Sequence, residues 1–452
     1  MIEWMIPCLL FVPALAVASL VTCVWLKLRP GESTINRIVA GAFGTNAVLC
    51  LGTGIWLLAH HRFSYEVSLG TFFEAEHYTF EWTLVVDGLS LTFVTLTSFL
   101  VGLIGVFSRR YLHRETGYLR FYFLLCLFGA GTTLVALAGS LDLIFFGWEI
   151  VGFTSTLLIA FFHERKKPIE HGLRAFITYR MCDMGLLSAA VWMHHTVGSS
   201  EMIQLGSDTS WYAFNLPTDL TNTTIIGFLL LWAAMGKSAQ VPFGGWLPRA
   251  MEGPTPSSAI FYGAISVHLG PYLLLRASPF WNTSIAASAA VVSIGILTAL
   301  HATFVGRVQT DIKSTLAYAS MAQVGIIFAE IGLGFSTLAL LHIVSHAIVR
   351  SLQILRSPGL LADYGKLERV MKQQLPRTGG HLEFLVPASI RPWLYRHALE
   401  RGYFDSILRD YVVGGFLSFV RKIDAVDRRW AAWASGDDSE RKGTRVKVAR
   451  EK

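Results

Sequence analysis

Residues 232–275 read W-A-A-M-G-K-S-A-Q-V-P-F-G-G-W-L-P-R-A-M-E-G-P-T-P-S-S-A-I-F-Y-G-A-I-S-V-H-L-G-P-Y-L-L-L. An apolar run ends at Lys237, a proline- and glycine-rich turn follows, and a second apolar run begins near Ser257. Pro242, Pro254 and Pro256 cannot continue a regular helix ladder, so the chain is expected to break there. A charged lysine at the centre of a membrane helix costs about 2.5–3.5 kcal/mol on the lenient scale. Such a lysine either faces a protein interior or wet cavity, or snorkels from a helix end to the interface. Spacing alone leaves both readings open.

The chain around this stretch has 452 residues, 53% hydrophobic and 15% charged, with mean hydropathy +0.48. A soluble domain carries roughly 25% charged residues. Many runs reach the roughly 20 apolar residues that cross a bilayer as a helix, and they do not alternate as barrel strands do. The fold class is therefore an all-α polytopic membrane protein. The net charge of +7 lies in short loops and the tail, which points to membrane topology and away from nucleic acid. Cys8, Cys23, Cys50, Cys126 and Cys182 lie in or beside apolar runs without C-x-x-C spacing. That argues against a disulfide framework, a zinc site or an iron–sulfur site. The run starting at residue 4 lacks a basic leader region and reads as a retained helix.

Eleven spans are expected, near 4–26, 37–59, 88–108, 119–138, 141–162, 174–194, 223–240, 257–276, 284–306, 312–333 and 335–355. The segments around Arg29, Arg109–Arg114, Glu164–Arg174, Arg249 and Arg307–Lys313 are basic, whereas 63–87 and 196–222 have no Lys or Arg. The positive-inside rule then places the N-terminus outside and the C-terminus in the cytoplasm. Aromatic and β-branched runs in 63–87 predict a hairpin on the outer face. Pro358, Pro376, Pro387 and Pro392 are expected to break residues 356–452 into pieces. Within them Tyr411–Val420, flanked by Arg409, Arg421 and Lys422, reads as an interfacial helix, with Arg428, Arg429, Trp430 and Trp433 at headgroup level. Gly436–Lys452 is charged and is expected to be disordered.

Charged residues inside the spans are functional candidates. Glu149 sits in F-F-G-W-E-I-V-G-F with no cation in its own apolar stretch, so Lys237 is its expected partner. Arg180 and Asp183, at i and i+3, can pair on one helix face, and a purely structural role fits them. Asp311 and Lys313 open the tenth span. His342 and His346, at i and i+4, share a face that Arg350 continues. A proton relay, packing and a metal site all remain open for the two histidines, although no H-E-x-x-H pattern or nearby cysteine supports metal. His268 and His301 read as lone packed residues. No redox, nucleotide, flavin or nucleophile motif occurs, so neither a cofactor nor a catalytic site is expected in this chain.

These residues resemble the antiporter-like membrane subunits of respiratory complex I and Mrp-type antiporters, nearest the L-type subunit. The matching pieces are D-G-L-S (Asp87–Ser90), W-E-I-V-G (Trp148–Gly152), A-F-I-T-Y-R-M-C-D (Ala175–Asp183), G-K-S-A-Q (Gly236–Gln240), W-L-P-R-A-M-E-G-P-T-P-S-S-A (Trp246–Ala259), Q-T-D-I-K-S-T-L-A-Y-A-S-M-A-Q-V-G (Gln309–Gly325) and H-I-V-S-H-A (His342–Ala347). The resemblance implies inverted five-helix repeats with broken helices near the midplane. It implies Glu149 and Lys237 as the carboxylate–lysine pair of the first half-channel, and His342 and His346 in a central hydrophilic axis. It also implies a multi-pass protein of a bacterial inner membrane whose partners are other membrane subunits.

The chain departs from the family pattern at four positions. Gly244 stands for a usual histidine, Arg249 for an aspartate, Tyr262 for a histidine and Arg350 for a lysine. After Leu355 the chain turns polar, where the family continues with a second channel lysine and a long lateral helix. The second repeat is therefore expected to be truncated. The expected division is 1–118 for the first helices and outer hairpin, 119–276 for the first repeat, 277–355 for a partial second repeat and 356–452 for a basic tail. Three functions compete: a proton- or cation-translocating subunit, a membrane partner of a zinc carbonic-anhydrase-like cytoplasmic protein in proton-driven inorganic carbon uptake, and a non-conducting scaffold.

Overall fold

The computed structural model describes residues 2–28, 30–75, 78–204, 212–371 and 386–435. Arg29, Pro376 and the tail Gly436–Lys452 lie outside the described residues. Helices α1 (Ile2–Trp25) and α2 (Glu32–Ala59) open the chain. The antiparallel strands β1 (Ser64–Ala75) and β2 (Tyr78–Asp87) follow, running in register from Ser64 opposite Asp87 to Ala75 opposite Tyr78, with irregularities around Thr71. This is the hairpin that the aromatic runs predict.

Next come α3 (Gly88–Tyr111), α4 (Tyr118–Leu137), α5 (Leu141–Ile159) and α6 (Lys166–Val197). Short strands β3 (Met202–Gln204) and β4 (Tyr212–Phe214) pair antiparallel before α7 (Leu220–Lys237). Side chains set the helix starts by accepting orphan backbone N–H groups. Asp87 accepts from Ser90 N, Ser140 from Leu143 N and Asp219 from Asn222 N. Gly198, with φ 83°, ends α6 in the left-handed conformation that glycine adopts without a Cβ clash.

The segment after α7 is the irregular heart of the fold. α8 (Trp246–Arg249) and α9 (Thr255–Ser258) are single turns. A π-helical turn, Ala259–Ala264, and a 3-10 turn, Ser266–His268, lead into α10 (Leu269–Arg276). The sequence predicts one continuous span over 257–276, and here the structure differs. The backbone changes its hydrogen-bond period three times in this stretch, from α to π, to 3-10 and back to α. That is tolerable at membrane depth because the residues are buried in protein.

α11 (Ser278–Thr283), α12 (Ile285–Arg307), α13 (Ile312–Gly332) and α14 (Ser336–Met371) complete the bundle. Ser284 and Asp311 cap α12 and α13. α14 continues past Leu355 and through Pro358, where the proline rule predicts a stop. A proline inside a helix kinks it or removes one hydrogen bond, and need not end it.

Among the described residues nine helical segments are long and apolar enough to cross a membrane. α6 and α7 occupy the other two expected spans. The chain is an all-α polytopic membrane protein. Apolar side chains such as Leu15, Leu51, Ile55, Ile296 and Leu300 are exposed on the outer helices, as a bilayer requires.

A separate compact unit begins at Pro392 and is described as far as Ser435. Its stretch of the chain holds α15 (Arg391–Leu399), α16 (Phe404–Ile407), a π-helical turn (Leu408–Val413) and α17 (Gly414–Ser435). α17 runs past the short apolar stretch expected to be helical, through Arg421 and Lys422. On it Arg428 pairs with Asp424 at 2.8 Å, one turn away.

Candidate functional site

Most of the candidate residues among those described fall in two polar clusters inside the bundle. The first sits where α5, α6 and the end of α7 meet. Lys237 is fully buried. Its Nζ donates to the Trp148 carbonyl at 3.0 Å and lies over the rings of Trp148 (4.9 Å) and Tyr179 (4.6 Å). A lysine reaches this place because two glycines make room. A Cβ on Gly236 would run into Cys182 of α6, and one on Gly152 would sit 3.0 Å from Lys237 Nζ.

Asp183 pairs with Arg180 as its i, i+3 spacing predicts, but Glu149 does not fall as expected. Glu149 pairs with Arg180, not with Lys237. Arg180 also holds Asp183 at 2.9 Å, and Asp183 accepts from the Trp148 indole at 2.5 Å. Arg180 thus bridges two carboxylates, while Trp148 touches both Asp183 and Lys237. Together the four charges sum to zero. Glu149 Oε1 has no hydrogen-bond partner among the described residues. Glu149 and Arg180 are 26% and 35% exposed, so the pair reaches the wall of the bundle midway along α5.

The second cluster lies on α13, α14 and the broken helix. His342 Nδ1 meets Glu330 Oε1 at 3.0 Å, and its Nε2 meets Gln323 Oε1 at 3.0 Å. One turn on, His346 Nδ1 meets His268 Nε2 at 2.9 Å. His268, a lone packed residue by spacing, is therefore a partner in this cluster. The ring centroids of His342 and His346 are 6.4 Å apart. Ser238 links the two clusters: it follows Lys237 and donates to the Val267 carbonyl at 2.7 Å, next to His268.

Other candidates make no hydrogen bond to either cluster among the described residues. Asp311 caps α13, while Lys313 is half-buried and, among the described residues, forms no ion pair with either cluster. Arg350 donates to Gln353 on its own helix at 2.8 Å. Pro242 lies in the turn after α7, Pro254 immediately precedes α9 and Pro256 is in its first turn. Among the described residues no group of three or more His, Cys, Asp or Glu side chains is arranged to hold a metal ion.

Three features escape the motif reading. Arg276 and Asp87 are both fully buried and pair at 2.5 and 3.1 Å. Arg276 also donates to the Tyr272 hydroxyl, the Tyr212 carbonyl and Ser90. This clamp ties β2, α3, β4 and α10 together. Glu330 is the second feature; one carboxylate inside the apolar run A-E-I-G is its only sequence signal. The third joins α5 and α6: Asp142 binds His194 at 2.8 Å and accepts from Ser200. In the loop beyond, burial pushes the Glu201 carboxyl above its usual range, and Glu81 and Glu66 add repulsion.

Residues 138–373 match the transmembrane family described as NADH:quinone oxidoreductase/Mrp antiporter, and residues 72–122 match the N-terminus of complex I chain 5. The chain is 33% identical over 354 residues to NADH-ubiquinone oxidoreductase chain 5 of Schizophyllum commune, covering 78% of this chain and 49% of that one. It is 32% identical over 336 residues to NADH-quinone oxidoreductase subunit L of Escherichia coli, covering 74% and 54%. The chain spans about half the length of these relatives. Its fold is similar to the Mrp complex of Dietzia sp., with TM-score 0.62 and 24% identity, over 86% of this chain and 43% of that one. It is also similar to an archaeal membrane-bound sulfane sulfur reductase, with TM-score 0.63 and 15% identity, over 78% and 70%.

Proposed function

Because the chain belongs to the NADH:quinone oxidoreductase/Mrp antiporter membrane family, we propose that it is a proton- or cation-translocating subunit of a multi-subunit membrane complex. The observation that carries this reading is Lys237, a fully buried lysine whose surroundings include two carboxylates, neither of them bonded to it. Burial disfavours the charged form, and a nearby carboxylate favours it. Arg180 is shared between Glu149 and Asp183, so its movement toward either changes the field at Lys237. Motion of Arg180 loads or unloads the lysine proton. From Lys237 the route continues through the Ser238–Val267 tie to the histidines and Glu330.

The same reading places the chain in a bacterial inner membrane with eleven spans, the N-terminus outside and the C-terminus in the cytoplasm. It keeps 119–276 and 277–355 as the two halves of the transport unit, after the first helices in 1–118, with 356–452 on the cytoplasmic side. A neighbouring membrane subunit covers the Glu149–Arg180 wall. The support is physical: a charged pair exposed at the middle of a membrane helix is costly in lipid. The inner-face turn around Pro254 and Pro256 docks a further partner protein. The relatives lend no support to pairing with a zinc carbonic-anhydrase-like protein.

The test is proton movement by the assembled complex in liposomes. Lys237→Ala should abolish it while the chain still inserts and assembles. Unchanged proton movement in Lys237→Ala would leave the non-conducting scaffold in its place.

A further inference from the structure

His268 is fully buried at the end of the 3-10 turn, and His346 is 7% exposed on α14. His268 Nδ1 contacts the Ala264 carbonyl, the last residue of the π-helical turn. A carbonyl only accepts, so this nitrogen must carry a hydrogen. In neutral His268 the other nitrogen, Nε2, is then an acceptor. It faces His346 Nδ1 at 2.9 Å, so His346 must donate from Nδ1. That assignment leaves His346 Nε2 as a bare lone pair. Among the described residues this buried atom has no hydrogen-bond partner.

The irregular backbone is what makes this arrangement. In a regular helix the Ala264 carbonyl would be engaged by the main-chain N–H four residues on, at His268. Here His268 N bonds Ile265 O instead, at 3.0 Å, and the His268 side chain contacts the Ala264 carbonyl. The charged and titratable groups around the pair are His342 and Arg350 on α14, with Glu330 on α13 bonded to His342.

We propose that His268 is a positioning residue of the proton path: pinned at Nδ1 by the Ala264 carbonyl, it holds His346 with hydrogen on Nδ1, which makes His346 Nε2 the atom that takes up a proton from His342. The step balances simply. A proton leaves a His342 ring nitrogen and bonds to His346 Nε2, giving imidazolium His346 and neutral His342, and the reverse transfer from the same Nε2 returns it to His342. Glu330 holds the counter-charge at His342. This inference rests on the transport reading above.

The test uses the assembled complex in lipid, with 15N-labelled histidine, and reads imidazole tautomers by solid-state NMR beside proton movement. Wild-type His346 should carry hydrogen on Nδ1 in its neutral form. His268→Phe removes the acceptor. It should shift His346 toward the Nε2–H tautomer and slow proton movement on the order of 100-fold. His268→Gln supplies a side-chain carbonyl to the same donor and should restore both tautomer and transport. Neutral wild-type His346 protonated at Nε2, or a His268→Phe tautomer unchanged from wild type, overturns the proposal. So does a His268→Gln variant as slow as His268→Phe, which would make His268 a carrier in its own right. A wild-type complex that moves no protons while showing the expected tautomers overturns the transport reading, and the path role with it. The spectra keep that result distinct from a wrong tautomer assignment.

Discussion

The cluster at Lys237 and the cluster at His346 handle a buried proton in opposite ways. The first is built from full charges: Lys237, Arg180, Glu149 and Asp183 balance one another beside the rings of Trp148 and Tyr179. The second is built from imidazoles, with a single carboxylate, Glu330, at one end. A charge cluster is held in place by its own pairing, and removing one member strands the others. An imidazole chain loses one or two neutral-ring hydrogen bonds when a member is removed, but it loses the route. Stability and transport should therefore separate between the two regions.

The largest stability effect is expected at Asp183. Asp183→Ala removes a fully enclosed partner of Arg180 and the acceptor of the Trp148 indole. Breaking a buried pair costs about 3–5 kcal/mol, and Arg180 is partly exposed and keeps Glu149, which places this change near the lower end. Thermal unfolding of the complex and the yield of assembled protein measure it. A variant as stable as wild type would show that the cluster is not held by its charges.

A smaller loss is expected for Glu149→Gln, because Glu149 lies at the wall of the bundle and Arg180 keeps Asp183. Transport should fall strongly, and Glu149→Asp should retain more of it. Equal activity in the two variants would remove the carboxylate charge from the account.

On the imidazole side, His342→Gln should cost about 1 kcal/mol, the worth of an ordinary hydrogen bond, while proton movement falls on the order of 100-fold. A large loss of stability with transport intact would reverse the contrast. Glu330→Gln keeps a hydrogen-bonding group opposite His342 and should have the smallest effect on stability. Its transport defect should be milder than that of His342→Gln. Transport in Glu330→Gln lower than in His342→Gln would make the carboxylate, not the ring, the essential group.

Much of this arrangement was legible in the sequence. Apolar run lengths give the helices, and the aromatic runs of 63–87 give the β1–β2 hairpin. Membrane cost singles out Lys237 and Glu149 as residues needing an explanation. What spacing could not give is rotation about each helix axis. Glu149 meets Arg180 because α5 and α6 face each other at that level, and one-dimensional distance to Lys237 carries no such information.

The His268–His346 bond was hidden for a related reason. Helical periodicity fails across a π turn followed by a 3-10 turn, so the face on which His268 lies cannot be counted from Ser257. Arg276 and Asp87 are 189 residues apart, and no local pattern joins them. α14 was underestimated because Pro358 was read as a stop, whereas the helix runs on to Met371.

Everything proposed for the charged cluster depends on Lys237 giving up its proton. Lys237→Arg keeps a cation and its donors but cannot be deprotonated in a protein. The measurement is proton movement by the assembled complex in liposomes, with equal insertion of the two proteins shown by blotting. Loss of proton movement in Lys237→Arg, with assembly intact, is the predicted result. Wild-type movement in that variant would contradict the account, because a permanently charged side chain would then be enough.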